Sequence, residues 1–221
     1  MKNSISQPIS WVYLSAVLLP FNGGYINAAT LISFLQNSVG YVTGNLTYAG
    51  VFLSNGEFLI FARMLILVIF FLLGTVISGL IIKSPHYNQD YSYPTNLLLQ
   101  LTLVFIAILF LNSHLSYCEY ILAMTMGLQN AMTTYYGSAI IRTTHMTGTT
   151  TDLGLLIAYK IKNTQIATWK LRLYIILILS FLTGSFVGAL AFKIFQGNAL
   201  YCSILIYSAM IVLYKKNHQT N

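Results

Sequence analysis

The stretch WVYLSAVLLPFNGGYINAATLISFL, Trp11–Leu35, decides how this chain is read. It carries no formally charged side chain, and a helix of that length, rising about 1.5 Å per residue, outspans a bilayer core of about 30 Å. Outward from it the same poverty of charge continues, since Lys2 and Glu57 are the only charged residues before Phe58. Over all 221 residues, 57% are hydrophobic and 7% charged. Soluble domains carry about 25% charge, so this chain cannot coat a water-facing surface. Lys2 followed by an apolar run resembles a signal peptide, but the run is too long for a signal core and continues without a clear cleavage site. It is expected to stay as the first helix of an all-α, polytopic transmembrane bundle forming one membrane domain over residues 1–221.

Further apolar segments follow at Phe58–Lys83, Thr95–Asn112, Glu119–Ile141, Leu171–Lys193 and Ala199–Tyr214, giving six expected spans. Aromatic residues gather at several span ends, among them Trp11, Tyr13, Tyr91, Tyr93, Tyr117, Tyr120, Trp169, Tyr201 and Tyr214. Such rings settle at the headgroup level. Two less apolar segments, Val42–Asn55 and Thr147–Lys160, read as short or re-entrant helices. With six crossings both termini share one side. Lys2, Lys83, Arg142, Lys160, Lys162, Lys170, Arg172, Lys215 and Lys216 then fall on the cytoplasmic side. If the two short segments also cross, the chain has eight spans, and Lys83, Arg142 and Lys193 move outward. The positive-inside bias favours six by a small margin. It also accounts for the net charge of +7 without nucleic acid, for which no basic module interleaved with aromatics is present.

The chain also repeats itself. Gly24-Tyr25-Ile26-Asn27-Ala28-Ala29-Thr30 matches Gly127-Leu128-Gln129-Asn130-Ala131-Met132-Thr133, and Thr43-Gly44 through Gly50 matches Thr147-Gly148 through Gly154. In the same order, Leu72-Leu73-Gly74 through Lys83 matches Leu182-Thr183-Gly184 through Lys193. Repeat copies over residues 11–112 and 119–214 follow. With three spans each, the second copy enters the membrane upside down, an arrangement common among transporters; with eight spans the copies are parallel.

Polar residues inside apolar segments are the candidates for function. Pro20 with Gly23 and Gly24 is expected to kink or break the first span, and Gln129 and Asn130 hold the matching place in the second copy. Interrupted helices in corresponding places point to a midplane site. Thr43 and Thr147 are read as helix N-caps, with Gly44 and Gly148 admitting a ligand to the first-turn N–H groups, a setting that attracts anions. Arg142, His145 and Asp152 form the densest ionisable cluster near the membrane. Arg142 can hold an anion, Asp152 a cation or proton, or the two can pair with each other. The expected substrate-binding set is therefore Asn27, Thr43, Gly44, Asn45, Gln129, Asn130, Arg142, Thr147, Gly148 and Asp152. Gly184-x-x-x-Gly188 and Gly74-x-x-x-Ser78 read as helix-packing faces, and Arg63 as a side chain snorkelling to the surface.

Enzymatic chemistry is disfavoured. The acidic residues are Glu57, Asp90, Glu119 and Asp152, and only Asp152 neighbours other functional groups. Cys118 and Cys202 form no Cys-x-x-Cys, the four histidines are dispersed, and no metal or other cofactor is expected. With six spans Cys118 is placed in an outer loop open to thiol reagents; with eight it is cytoplasmic and protected.

Taken in order, Gly24-Tyr25-Ile26-Asn27-Ala28, Thr43-Gly44-Asn45, Gly127 to Ala131, and Arg142-Thr143-Thr144-His145-Met146-Thr147-Gly148-Thr149 with Thr151-Asp152-Leu153-Gly154 resemble the YoaK family of uncharacterised multi-pass bacterial membrane proteins. The likeness runs from about Trp11 to Tyr214 and departs at Asn27, where members often carry an acidic residue. It implies a bacterial inner-membrane protein and supplies no substrate. The residues themselves point to a small secondary transporter or channel for a small, anionic solute at the repeat interface, with the lipid bilayer as partner. The alternative is a non-transporting assembly or sensor component whose polar residues only hold helices together.

Overall fold

The computed structural model describes residues 10–82, 91–136, 142–164 and 166–219. Among them there is no strand. In chain order the elements are α1 (Ser10–Ile32), α2 (Val42–Ser54), α3 (Phe58–Ile81), α4 (Ser92–Asn112), α5 (Cys118–Tyr136), α6 (Met146–Ile161), α7 (Thr168–Phe195), a 3-10 turn (Gln196–Leu200) and α8 (Tyr201–Gln219). Lys2 and Lys83, used above to orient the chain, and residues 137–141 of the expected fourth span lie outside the described residues.

Three stretches among the described residues are long and apolar enough to cross a membrane: Phe58–Ile81, Ser92–Asn112 and Thr168–Lys215. The last contains both α7 and α8, which part at Gln196 with φ of 52°. The polar content of α1 and α5 has a packing explanation. Asn22, Asn27 and Thr30 on α1 are buried, as are Glu119, Thr125, Gln129 and Thr133 on α5, while Leu59, Leu80, Leu182, Phe186 and Leu205 on α3, α7 and α8 stand exposed. The chain is inverted relative to a soluble protein, with carbon outside and amides inside, as a bilayer solvent requires.

Two tight helix pairs organise the interior: α1 packs chiefly on α7, and α3 on α5. Glycine makes both possible. A Cβ on Gly24 would run into the Phe181 carbonyl, one on Gly184 into that of Phe21, and one on Gly188 into that of Tyr25. Across the other pair, a Cβ on Gly74 would strike the Met124 carbonyl and one on Gly127 that of Phe71. Backbones this close exchange Cα–H···O contacts that any side chain would prevent. The packing role expected of Gly184, Gly188 and Gly74 is thus what the structure has. Ser78 instead accepts a 2.7 Å hydrogen bond from Asn96 Nδ2. Around these pairs α4 lies on α5 and α8, α2 on α3, and α6 on α7.

The break expected in the first helix is absent. α1 is unbroken from Ser10 to Ile32 with Pro20 inside it. Proline removes one backbone donor, and the rest of the helical ladder continues past it.

Candidate solute cavity

The chain enters both short helices in the same manner. After α1, the Gly40 N–H donates to Asn27 Oδ1 at 2.7 Å. Tyr41 follows as the N-cap of α2, and its carbonyl accepts the Asn45 N–H at 2.9 Å. After α5, the Thr144 N–H donates to Asn130 Oδ1 at 3.1 Å. His145 follows as the N-cap of α6, and its carbonyl accepts the Thr149 N–H at 3.2 Å. The N-caps are therefore Tyr41 and His145, not Thr43 and Thr147, which sit inside the first turn. The asparagine brace fixes the residue before each cap, so each helix starts earlier than the threonine hydroxyl would set it. Neither capping side chain bonds the first-turn amides. Instead each ring lies across its own helix start: a Cβ on Gly44 would collide with the Tyr41 ring, and one on Gly148 would stand 2.6 Å from His145 Cδ2. Gly44 and Gly148 make room for these rings rather than for a ligand.

Between the two helix starts lies a cavity of about 650 Å³. Asn27, Asn130, Tyr41, His145, Thr43 and Thr147 line it, with Phe71 from α3, Phe181 from α7, and Arg142 and Thr144 from the segment leading into α6. Among the described residues that line it there is no carboxylate. The two asparagines differ in what they leave open. Asn130 Nδ2 donates to the Met126 carbonyl at 2.9 Å and to Thr144 Oγ1 at 2.7 Å. Asn27, whose Oδ1 is likewise fixed, carries no hydrogen bond on Nδ2 among the described residues, although it is only 6% exposed.

A family profile described as a protein of unknown function, DUF1275, matches residues 15–213. The chain belongs to the DUF1275 family. This agrees with the resemblance to YoaK-like proteins, and with the three apolar stretches it makes the chain a membrane protein whose family carries no assigned activity. No curated protein and no solved structure matches the chain.

Within this DUF1275 chain, Asn27, Thr43, Asn130, Arg142 and Thr147 come together at the cavity, whereas Gly44, Asn45, Gln129, Gly148 and Asp152 do not line it. Asn45 is buried on α2 with Oδ1 unpartnered among the described residues. Gln129 is fully buried at the centre, where Nε2 donates to the Leu19 carbonyl at 3.0 Å and Thr143 Oγ1 at 2.9 Å. Its Oε1 accepts from Tyr207 at 2.9 Å and Asn22 Nδ2 at 3.2 Å. Asp152 is exposed on α6 beside Tyr174 of α7. It makes no ion pair with Arg142, although both side chains act electrostatically on Tyr174 of α7.

The ion pair among the described residues is one the sequence reading missed. Arg63 of α3 grips Glu119 of α5 through two hydrogen bonds, Nε to Oε1 at 2.7 Å and Nη2 to Oε2 at 2.8 Å. Nη2 also donates to the Leu35 carbonyl at 3.0 Å, tying down the loop after α1. Glu119 is fully buried, so Arg63 reaches inward to it rather than outward to the surface. The available signal was a lone cation inside one apolar segment and a lone acid at the start of another. Cys118, next to Glu119, is fully buried as well, so the expectation that a thiol reagent reaches it is corrected. Asn22, Tyr207, Phe71 and Phe181 were also overlooked, since only the fold brings them near Gln129 or the cavity.

Proposed function

We propose that the chain is a small secondary transporter or channel of the bacterial inner membrane that moves a small anionic solute through this cavity. In this reading it crosses six times with both termini cytoplasmic, and residues 11–112 and 119–214 enter the membrane in opposite senses. One observation carries the proposal: the cavity takes matching residues from each half, Asn27 with Asn130, Thr43 with Thr147, Tyr41 with His145 and Phe71 with Phe181. The helix pairs exchange in the same way, Gly24 meeting Phe181 as Gly127 meets Phe71. Residues 71–80 and 181–190 bury the same positions except at Ile77 and Val187. A site between inverted halves is where alternating-access proteins hold their solute. The sign of the solute follows from Arg142 and from the absence of a carboxylate among the described lining residues.

A non-transporting assembly or sensor component is the second reading. It is favoured by the engagement of Asn130, Gln129 and the Arg63–Glu119 pair in holding helices together. Tracer exchange of inorganic anions, carboxylates and sulfonates in proteoliposomes separates the two. The transporter reading expects saturable exchange of at least one anion, lowered at least tenfold by Arg142→Gln. Cooperatively folded protein that exchanges none of them sinks that reading and leaves the structural one.

A further inference from the structure

We infer that the solute is an amphipathic monoanion, a carboxylate or sulfonate whose apolar body lies between Phe71 and Phe181 and whose head faces Asn27 and Arg142. This rests on the reading of the cavity as an anion site and narrows its ligand class. The donors that are open to a ligand are few. The amide nitrogen of Asn27 is fixed as a donor, because its oxygen accepts the Gly40 N–H at 2.7 Å and cannot exchange places with it. It has no partner among the described residues, it belongs to a side chain more than nine-tenths buried, and it lines the cavity. Among the described lining residues Arg142 supplies the one permanent cation, sufficient for a single negative charge. Asn130 offers no equivalent amide hydrogen, since both bonds of its Nδ2 are made internally.

The remaining wall is carbon-rich. Phe71, Phe181, Leu31, Val42, Ala131 and Met146 all line the space. A compact, strongly hydrated anion such as chloride or phosphate would exchange its water shell for Arg142, Asn27 and a few hydroxyls set in a wall whose exposed area is mostly carbon, an unfavourable exchange. A volume of about 650 Å³ also exceeds what such an ion fills, and falls in the range of about 300–1,000 Å³ seen for organic ligands. An anion with an apolar body satisfies both parts of the wall at once, with charge at the donors and carbon against the phenyl rings.

Isothermal titration of the purified full chain in detergent, at pH 8, tests this with chloride, acetate, phenylacetate, methanesulfonate and benzenesulfonate. Phenylacetate and benzenesulfonate are expected to bind at least tenfold more tightly than acetate and methanesulfonate, with chloride weakest. Phe71→Ala and Phe181→Ala should each shrink that ratio at least threefold in protein that still melts cooperatively. Asn27→Asp keeps the oxygen that accepts from Gly40 but replaces the free donor with negative charge, and should weaken every anion at least tenfold in a protein that still melts cooperatively. Equal affinity for acetate and phenylacetate, or tighter chloride, overturns this inference and leaves the anion cavity standing. Absence of binding by every probe to cooperatively melting wild-type protein overturns both.

Discussion

The two segments that lead into α2 and α6 are held by different chemistry although they arrive at the same geometry. The segment after α1 is pinned by Asn27 on Gly40 and, from another helix, by Arg63 on the Leu35 carbonyl. The segment before α6 is pinned locally, by Asn130 on the backbone and hydroxyls of Thr143 and Thr144 and by Gln129 on Thr143. An amide brace needs both its oxygen and its nitrogen when it works alone with its neighbour. Where Arg63 also holds the segment, Asn27 bonds through its oxygen alone, and Asn27 lines the cavity. Structural duty and ligand capacity are therefore distributed unequally between two otherwise similar helix entries.

Substitutions put this inequality to the test, and the largest effect belongs to the framework both segments hang from. Gly74→Leu and Gly184→Leu each force a side chain into a neighbouring backbone, and each should destabilise by more than about 4 kcal/mol, read as loss of a monodisperse species in detergent. If one is tolerated and the other not, the two helix pairs are not equivalent supports. Next comes the distant pin. Glu119→Gln leaves the part-exposed Arg63 cation without a counter-charge and should be seen as a lowered Tm. Arg63→Leu with Glu119→Leu should recover most of that loss, and a double variant no better than the single one would contradict the ion-pair account. The smallest contrast is between the braces. Asn130→Ala loses bonds through both amide atoms and should cost about 3 kcal/mol, against about 1.5 kcal/mol for Asn27→Ala. Equal Tm losses would mean that Asn27 Nδ2 is engaged after all.

Several features were readable from the residues because they depend on local composition. Val42–Asn55 and Thr147–Lys160 were expected as short helices, and α2 and α6 occupy almost those positions. Gly184 and Gly188 announced close packing by spacing alone. The N-caps were misread because the threonine hydroxyls looked like the local capping groups, whereas a distant asparagine sets where each helix begins. Arg63 and Glu119 were misread for a related reason. Each looked like a residue near a helix end, and nothing in the one-dimensional pattern says that two helix ends meet. Half of the expected site, from Asn27 to Thr147, converges on the cavity. Gln129 and Asp152 do not, because helical rotation turns one inward to Tyr207 and the other outward to Tyr174.

Composition alone determined that this chain belongs in lipid and is helical, because 7% charge cannot solvate a surface and a bilayer leaves backbone groups no partner but each other. It also determined where polar groups sit along each helix. Which of those groups brace the fold and which stay open depended on the approach of α1 to α7 and of α3 to α5. Hydrogen bonds between helices saturate some donors and leave others, and that outcome is a property of distance and direction in space, which no spacing along the chain contains.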